Sequence, residues 1–251
     1  MCFELDSAPP IPVIAGAAVS HDDLVLTAAD GNRFAAFLAA PDEAHEAAVV
    51  ILPDVRGLYR FYEELALRFA ERGYRALAID YFGRTAGVAK RENDWDYMAE
   101  VEQTRQAGVA ADTRAAVEQL RAGGADLIFT VGFCFGGSNS WLQAAEGHGL
   151  AGAVGFYGSP TRERFGEASV IARVPEIACP ILALQAGEDQ GITAEDNAAF
   201  GAALAGAGVE HVIVTYDGAP HSFFDRKHDE FAEDSADAWR RVLAFFEQHA
   251  G

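Results

Sequence analysis

The segment Leu127-Ile128-Phe129-Thr130-Val131-Gly132-Phe133-Cys134-Phe135-Gly136-Gly137-Ser138 constrains the fold more than any other stretch of the chain. Its continuous apolar half suits a strand covered on both faces, and the G-x-C-x-G-G that follows suits a sharp turn into a helix. Gly132 and Gly136 allow strand and helix to approach closely around a strained turn, leaving the apex residue exposed above the sheet. That apex residue is Cys134. A thiol there meets the positive end of the following helix, which favours the nucleophilic thiolate.

The rest of the chain repeats strand and helix patterns. Asp23–Thr27 and Arg33–Ala39 flank the turn signal Asp30-Gly31-Asn32 and read as a hairpin. Ala47–Leu52 reads as a second doubly buried strand, Phe61–Arg72 as a helix stopped by Gly73, and Tyr74–Ile79 as a strand. Trp95–Arg121 reads as one long helix ending at Gly123-Gly124. Beyond the cysteine turn, Ser138–Ala145, Ala194–Ala205 and Asp229–His249 read as helices, and Gly149–Phe156, Ile181–Ala186 and His211–Tyr216 as strands. Such alternation predicts a mostly parallel central sheet with helices on both faces. No Pro/Ser-rich linker divides residues 1–251, so a single domain is expected.

With 19 Lys and Arg against 38 Asp and Glu the formal net charge is −19, which repels phosphate backbones and anionic lipid surfaces. The expectation is therefore no nucleic-acid partner and no membrane partner. An anionic substrate would need a local cationic group to offset the same field. Cys2, Cys134 and Cys179 are few, scattered and odd in number, which fits a reducing cytoplasm and no disulfide framework. The apolar stretch Ile11–Val19 lacks a basic flank and the length of a membrane span, so neither signal peptide nor anchor is expected.

A cysteine nucleophile needs a base, and the base needs an orienting acid. His221, in Gly218-Ala219-Pro220-His221-Ser222-Phe223, follows a predicted strand, where active-site residues of parallel sheets collect. His21, His45, His148, His211, His228 and His249 read as surface or loop residues. The strand Ile181–Ala186 ends in Gly187-Glu188-Asp189-Gln190-Gly191, which offers two carboxylates; Asp189 lies deeper in the loop, and Glu188 also satisfies the spacing. The order Cys134, Asp189, His221 brings the three to the carboxyl edge of one sheet, each after a different strand.

With these segments the chain resembles the dienelactone hydrolase family of α/β-hydrolases over roughly Asp23 to Phe246. The resemblance extends to Leu52-Pro53-Asp54-Val55-Arg56-Gly57 and to Ile79-Asp80-Tyr81-Phe82-Gly83-Arg84. It implies an α/β-hydrolase fold, with Cys134 as nucleophile, His221 as base and acid, Asp189 as its orienter, and the amides of Val55 and Phe135 as oxyanion donors. It also implies that Arg84 contacts a substrate carboxylate and that Asp54 stands near the cysteine. Two departures stand out: the family has the longer glutamate at Asp54, and its second carboxylate-binding arginine falls on Asp225, with Arg226 one step later.

The activity implied is hydrolysis of small esters or lactones through a thioester, by a monomer or weak homodimer. A broad-specificity carboxylesterase is the nearest alternative, and a non-catalytic ligand-binding protein of the same fold the more distant one. No metal or nucleotide motif is present, and no cofactor is expected.

Overall fold

Asp30-Gly31-Asn32 turns the chain back on itself, with Gly31 at φ +87° and Asn32 N–H donating to the Asp30 carboxylate. The two strands it joins, β1 (Val19–Thr27) and β2 (Arg33–Pro41), pair antiparallel along their whole length. The chain then runs through β3 (Ala47–Leu52), α1 (Arg60–Ala70), β4 (Arg75–Ile79), the short α2 (Gly83–Ala86) and α3 (Tyr97–Val101). It continues with α4 (Gln106–Ala122), β5 (Leu127–Phe133), α5 (Phe135–Gln143), β6 (Gly152–Phe156) and α6 (Val170–Arg173). It ends with β7 (Ile181–Ala186), α7 (Ala194–Gly206), β8 (His211–Tyr216) and α8 (Ala232–His249). The computed structural model describes residues 8–89, 91, 95–164, 166–225 and 227–250.

Among these residues the strands form one eight-stranded sheet in the order β1-β2-β4-β3-β5-β6-β7-β8. The pairings of β2 with β1 and β4 are antiparallel and all the others parallel. Side chains of the central strands alternate between two cores, as a period of two requires. Val49 and Ile51 of β3 face a layer containing Phe61, Leu65 and Phe69 of α1 and Trp239, Val242 and Phe246 of α8. Val50 and Leu52 face Val109, Val117 and Leu120 of α4. A third cluster joins Trp141 of α5 to Phe200 and Leu204 of α7 across Ile181 and Ala183. Among the described residues no helix is long and apolar enough to cross a membrane.

The structure departs from the sequence reading at Trp95–Arg121, which is two helices with a break at residues 102–105. The break is held by side chains: Thr104 Oγ1 donates to the Glu100 carbonyl and Gln103 to that of Ala99. The new helix start is capped from far along the chain, since both carboxylate oxygens of Glu167 accept from Gln106 N–H. Apolar periodicity cannot register a cap supplied by a residue so distant in sequence.

A second departure is His148, which reads as a surface residue but is 3% exposed. Its Nε2 lies 2.9 Å from Gln143 Oε1. Burial, aided by the charges of Arg114 and Arg121, pushes its pKa from 6.5 down to about 4. Below pH 6.5 the unfolded chain binds a proton that the folded chain refuses, so stability is lost as pH falls from about 6.5 to about 4. His148→Gln should remove roughly 2–3 kcal/mol of that pH-dependent loss, read from urea unfolding at pH 7 and pH 4.5. Equal losses in both proteins would clear His148 of the effect.

Candidate active site

β5 passes directly into α5 through Cys134, whose φ of 55° and ψ of −111° lie where few side-chain-bearing residues are found. The surrounding glycines explain how the chain tolerates this. A Cβ on Gly132 would overlap the carbonyl of Gly136, and one on Gly136 would overlap the carbonyl oxygens of Leu52 and Pro53. Strand, turn and helix are therefore in backbone contact with each other and with the end of β3. Cys134 N–H donates to Phe156 O at 3.0 Å, fixing the turn to β6 as well, and the cysteine is partly exposed.

Asp189 and His221 meet because the loops after β7 and β8 are laced together. Gly187 N–H donates to Tyr216 O, and Glu188 N–H to Ala219 O, each at 2.9 Å. His221 Nδ1 then lies 2.6 Å from Asp189 Oδ2, while Asp189 Oδ1 accepts from Gly191 N–H. Of the two acids offered by the loop, Asp189 makes this contact, whereas Glu188 is exposed. Burial works to raise the Asp189 carboxyl, but the hydrogen bond and charge of His221, with the amides of Gly191 and Ile192, outweigh it and hold the group below its ordinary value. The ionised carboxylate fixes His221 with its proton on Nδ1, which leaves Nε2 to accept one.

A cavity of about 170 Å³ opens on Cys134, Asp189 and His221, and its wall includes Tyr157, Arg162 and Arg164. Tyr157 also has a positive φ of 37°, packs its ring 4.8 Å from that of His221, and donates its hydroxyl to Asp225 at 2.6 Å. Asp225 is wholly buried and so carries a structural hydrogen bond at the position where the family pattern has an arginine. Arg226 lies outside the described residues.

The structure does not bring Arg84 to this cavity. Its guanidinium is held by Asp112, at 3.2 Å from Nε and 2.8 Å from Nη2, and by Asp30 in the hairpin turn. It lines a separate cavity with Tyr81 and Arg105. Asp54 is fully buried, and its carboxylate accepts from Arg56 N–H at 2.8 Å and pairs with the Arg56 guanidinium at 3.4 Å. It shapes the loop after β3 that carries Val55. Tyr81 closes this corner: its hydroxyl donates to Pro53 O, and burial followed by the charges of Asp54, Asp80 and Cys134 raises its pKa well above 10, so it stays protonated. Phe135 is the first residue of α5, so its N–H is among those with no acceptor inside the helix.

Sequence reasoning missed Tyr157, Arg162 and Arg164. The available signal was their position just beyond the carboxyl end of β6, the edge at which parallel sheets gather functional loops.

The sequence model of the dienelactone hydrolase family matches residues 34–250. A Pseudomonas putida carboxymethylenebutenolidase is 28% identical over 204 residues, spanning 77% of this chain and 82% of that one. A Yersinia pestis protein named "Putative carboxymethylenebutenolidase" is 28% identical over 227 residues, spanning 87% and 85%. The solved "Putative Dienelactone Hydrolase" of Klebsiella pneumoniae superposes with a TM-score of 0.81 at 24% identity, covering 92% of this chain and 99% of that one. At that identity the superposition speaks for the fold.

Proposed function

The chain belongs to the dienelactone hydrolase family of ester-bond hydrolases and has the α/β-hydrolase fold, and from that premise we propose that it hydrolyses small esters or lactones through Cys134, His221 and Asp189. The observation that carries the proposal is the 2.6 Å Asp189–His221 hydrogen bond opening on the same cavity as the strained cysteine. Base, orienter and nucleophile are what acyl transfer to sulfur requires, each in a segment that follows a strand of the sheet.

In the proposed cycle His221 Nε2 takes the Cys134 thiol proton as sulfur attacks the acyl carbonyl. The oxyanion is held by the N–H groups of Val55 and Phe135, fixed donors of the kind worth roughly 3–4 kcal/mol each in such sites. The carbon–oxygen bond then breaks and His221 returns its proton to the departing alkoxide, leaving a thioester on Cys134. Water, deprotonated by His221, attacks the thioester; the products are a carboxylate and the restored thiol. In a lactone the alkoxide remains tethered to the acyl chain.

The scattered cysteines fit a reducing cytoplasm as the place of action, and a monomer or weak homodimer acting alone on small molecules fits the strongly acidic composition. Millisecond acid quench of the enzyme with excess 4-nitrophenyl butyrate tests the cycle. A butyryl adduct should appear on the tryptic peptide containing Cys134, accompanied by a burst of about one nitrophenolate per active site. Turnover with neither adduct nor burst, under conditions where deacylation limits the rate, would remove the thioester from the scheme.

A further inference from the structure

The chain has 38 acidic residues against 19 basic ones, and several of its arginine side chains are held by carboxylates, as Arg84 is by Asp30 and Asp112 and Arg91 by Asp80. Arg162 and Arg164 are set apart by where they stand. Both line the Cys134 cavity, and among the described residues no carboxylate lies within ion-pairing distance of either guanidinium. The Arg162 guanidinium donates to the Gly191 carbonyl, at 3.3 Å, and Arg164 lies with its guanidinium carbon 5.3 Å from the Phe135 ring centre, beside the nucleophile.

Their loop is built to hold them there. Arg162 N–H donates to Ser159 Oγ, and Ser138 Oγ of α5 donates to Ser159 O. The backbones of Arg164 and Glu167 form an isolated antiparallel bridge across a turn that contains Gly166, which has φ +78°, and the Glu167 carboxylate is anchored on the start of α4. Arg162 is exposed and feels the charge of Asp196, whereas Arg164 is half-buried, and an anion bound between the two guanidinium groups would relieve their mutual repulsion. Burial and the charge of Arg162 both press the Arg164 guanidinium below its ordinary value, while Cys134 opposes them. Guanidinium pairs suit a planar carboxylate, which they bind through paired charge-assisted hydrogen bonds.

We propose that Arg162 and Arg164 form an anion subsite of the Cys134 cavity, which takes a carboxylate carried on the acyl part of the ester or lactone. This deepens the proposed hydrolase reading and rests on it. It moves charge recognition from the Arg84 segment after β4 to the loop after β6, and it supplies the local cation that so acidic a protein needs to hold an anionic substrate.

Alkylation of Cys134 tests the subsite without turnover, by comparing the anion iodoacetate with neutral iodoacetamide. Both react with the same thiolate, so their rate ratio cancels any change in thiolate population and isolates recruitment of the carboxylate. Cys179 is buried and its thiol is pushed up to about 12, and peptide mass spectrometry assigns the label to Cys134. In the wild type the iodoacetate-to-iodoacetamide ratio should exceed that of glutathione by roughly tenfold or more, the gain expected of charge-assisted hydrogen bonds. Arg162→Gln and Arg164→Gln should each lower it, and the double variant should return it to the glutathione value.

The ratio of kcat/KM for 4-nitrophenyl hemiglutarate over 4-nitrophenyl butyrate should fall in parallel, with Cys134→Ala as the blank. A wild-type alkylation ratio equal to that of glutathione, or one unchanged in the double variant, would overturn the subsite. Loss of both alkylation rates at a constant ratio would do the same, and would assign the guanidinium groups to the thiolate itself. Wild-type hydrolysis persisting in Cys134→Ala would instead defeat the proposed cycle, while the alkylation ratio would still judge the subsite.

Discussion

Cys134→Ala is expected to lower kcat/KM for a simple aryl ester by roughly 10⁴-fold or more while leaving the thermal midpoint within a few degrees of wild type. The kinetic loss follows from removing the only atom that forms the acyl bond in the proposed cycle; what survives is binding and oxyanion stabilisation. The small stability effect follows from position. Cys134 is partly exposed at the turn apex, and alanine at φ 55° bears the same backbone strain that cysteine already bears. Cys134→Ser sharpens the test, because a hydroxyl at this site depends on His221 for every proton it loses whereas a thiol ionises readily. The serine variant should therefore be much slower than wild type, with the Asp189–His221 bond intact. Undiminished hydrolysis by Cys134→Ala, measured beside far-UV circular dichroism, would exclude the cysteine as nucleophile.

The parts of the site that could be read from sequence are those whose determinants are local. An apolar run, two glycines at fixed spacing and a cysteine between them specify the β5–α5 turn within twelve residues, and the structure has that turn. Asp189 and His221 were legible for a related reason: each follows a strand, and parallel strands deliver their carboxyl ends to one edge. Arg84 was not legible. The residues that hold it are 54 and 28 positions away, Asp30 in a hairpin turn and Asp112 on a helix, and nothing near Arg84 announces them. Asp54 matches a family position, but its carboxylate is occupied within its own loop by Arg56. The break in the long helix escaped for the same reason as Arg84, because its cap, Glu167, stands 61 residues from Gln106. Arg162 and Arg164 look like ordinary loop arginines until the fold sets them beside Cys134. That none of the described carboxylates lies within ion-pairing distance of either guanidinium is a property of three-dimensional neighbours and has no counterpart in the sequence.

Gly132→Ala and Gly136→Ala are expected to destabilise the fold by about 4 kcal/mol or more each, enough to consume much of the 5–15 kcal/mol that holds a typical domain together. The reason is contact and not backbone conformation, since neither glycine has a positive φ. The added methyl of Gly132→Ala would meet the Gly136 carbonyl, and that of Gly136→Ala would meet the carbonyls of Leu52 and Pro53. These are backbone atoms of a sheet centre and a helix start, and no side-chain rotation can make room. Gly147→Ala is the matching control: it has φ +66° but open space around it, so it should cost only about 1 kcal/mol of backbone strain. Urea unfolding midpoints would rank the three, and a Gly136→Ala midpoint equal to that of Gly147→Ala would mean that α5 and β3 can part without cost. The consequence extends to chemistry. Relief of the Gly136 overlap requires α5 to move away from Leu52 and Pro53, and therefore moves Cys134 and Phe135 relative to Val55. Any Gly136→Ala protein that folds should accordingly lose kcat more than it raises KM, because the two proposed oxyanion donors sit on opposite sides of the contact that the glycine makes possible.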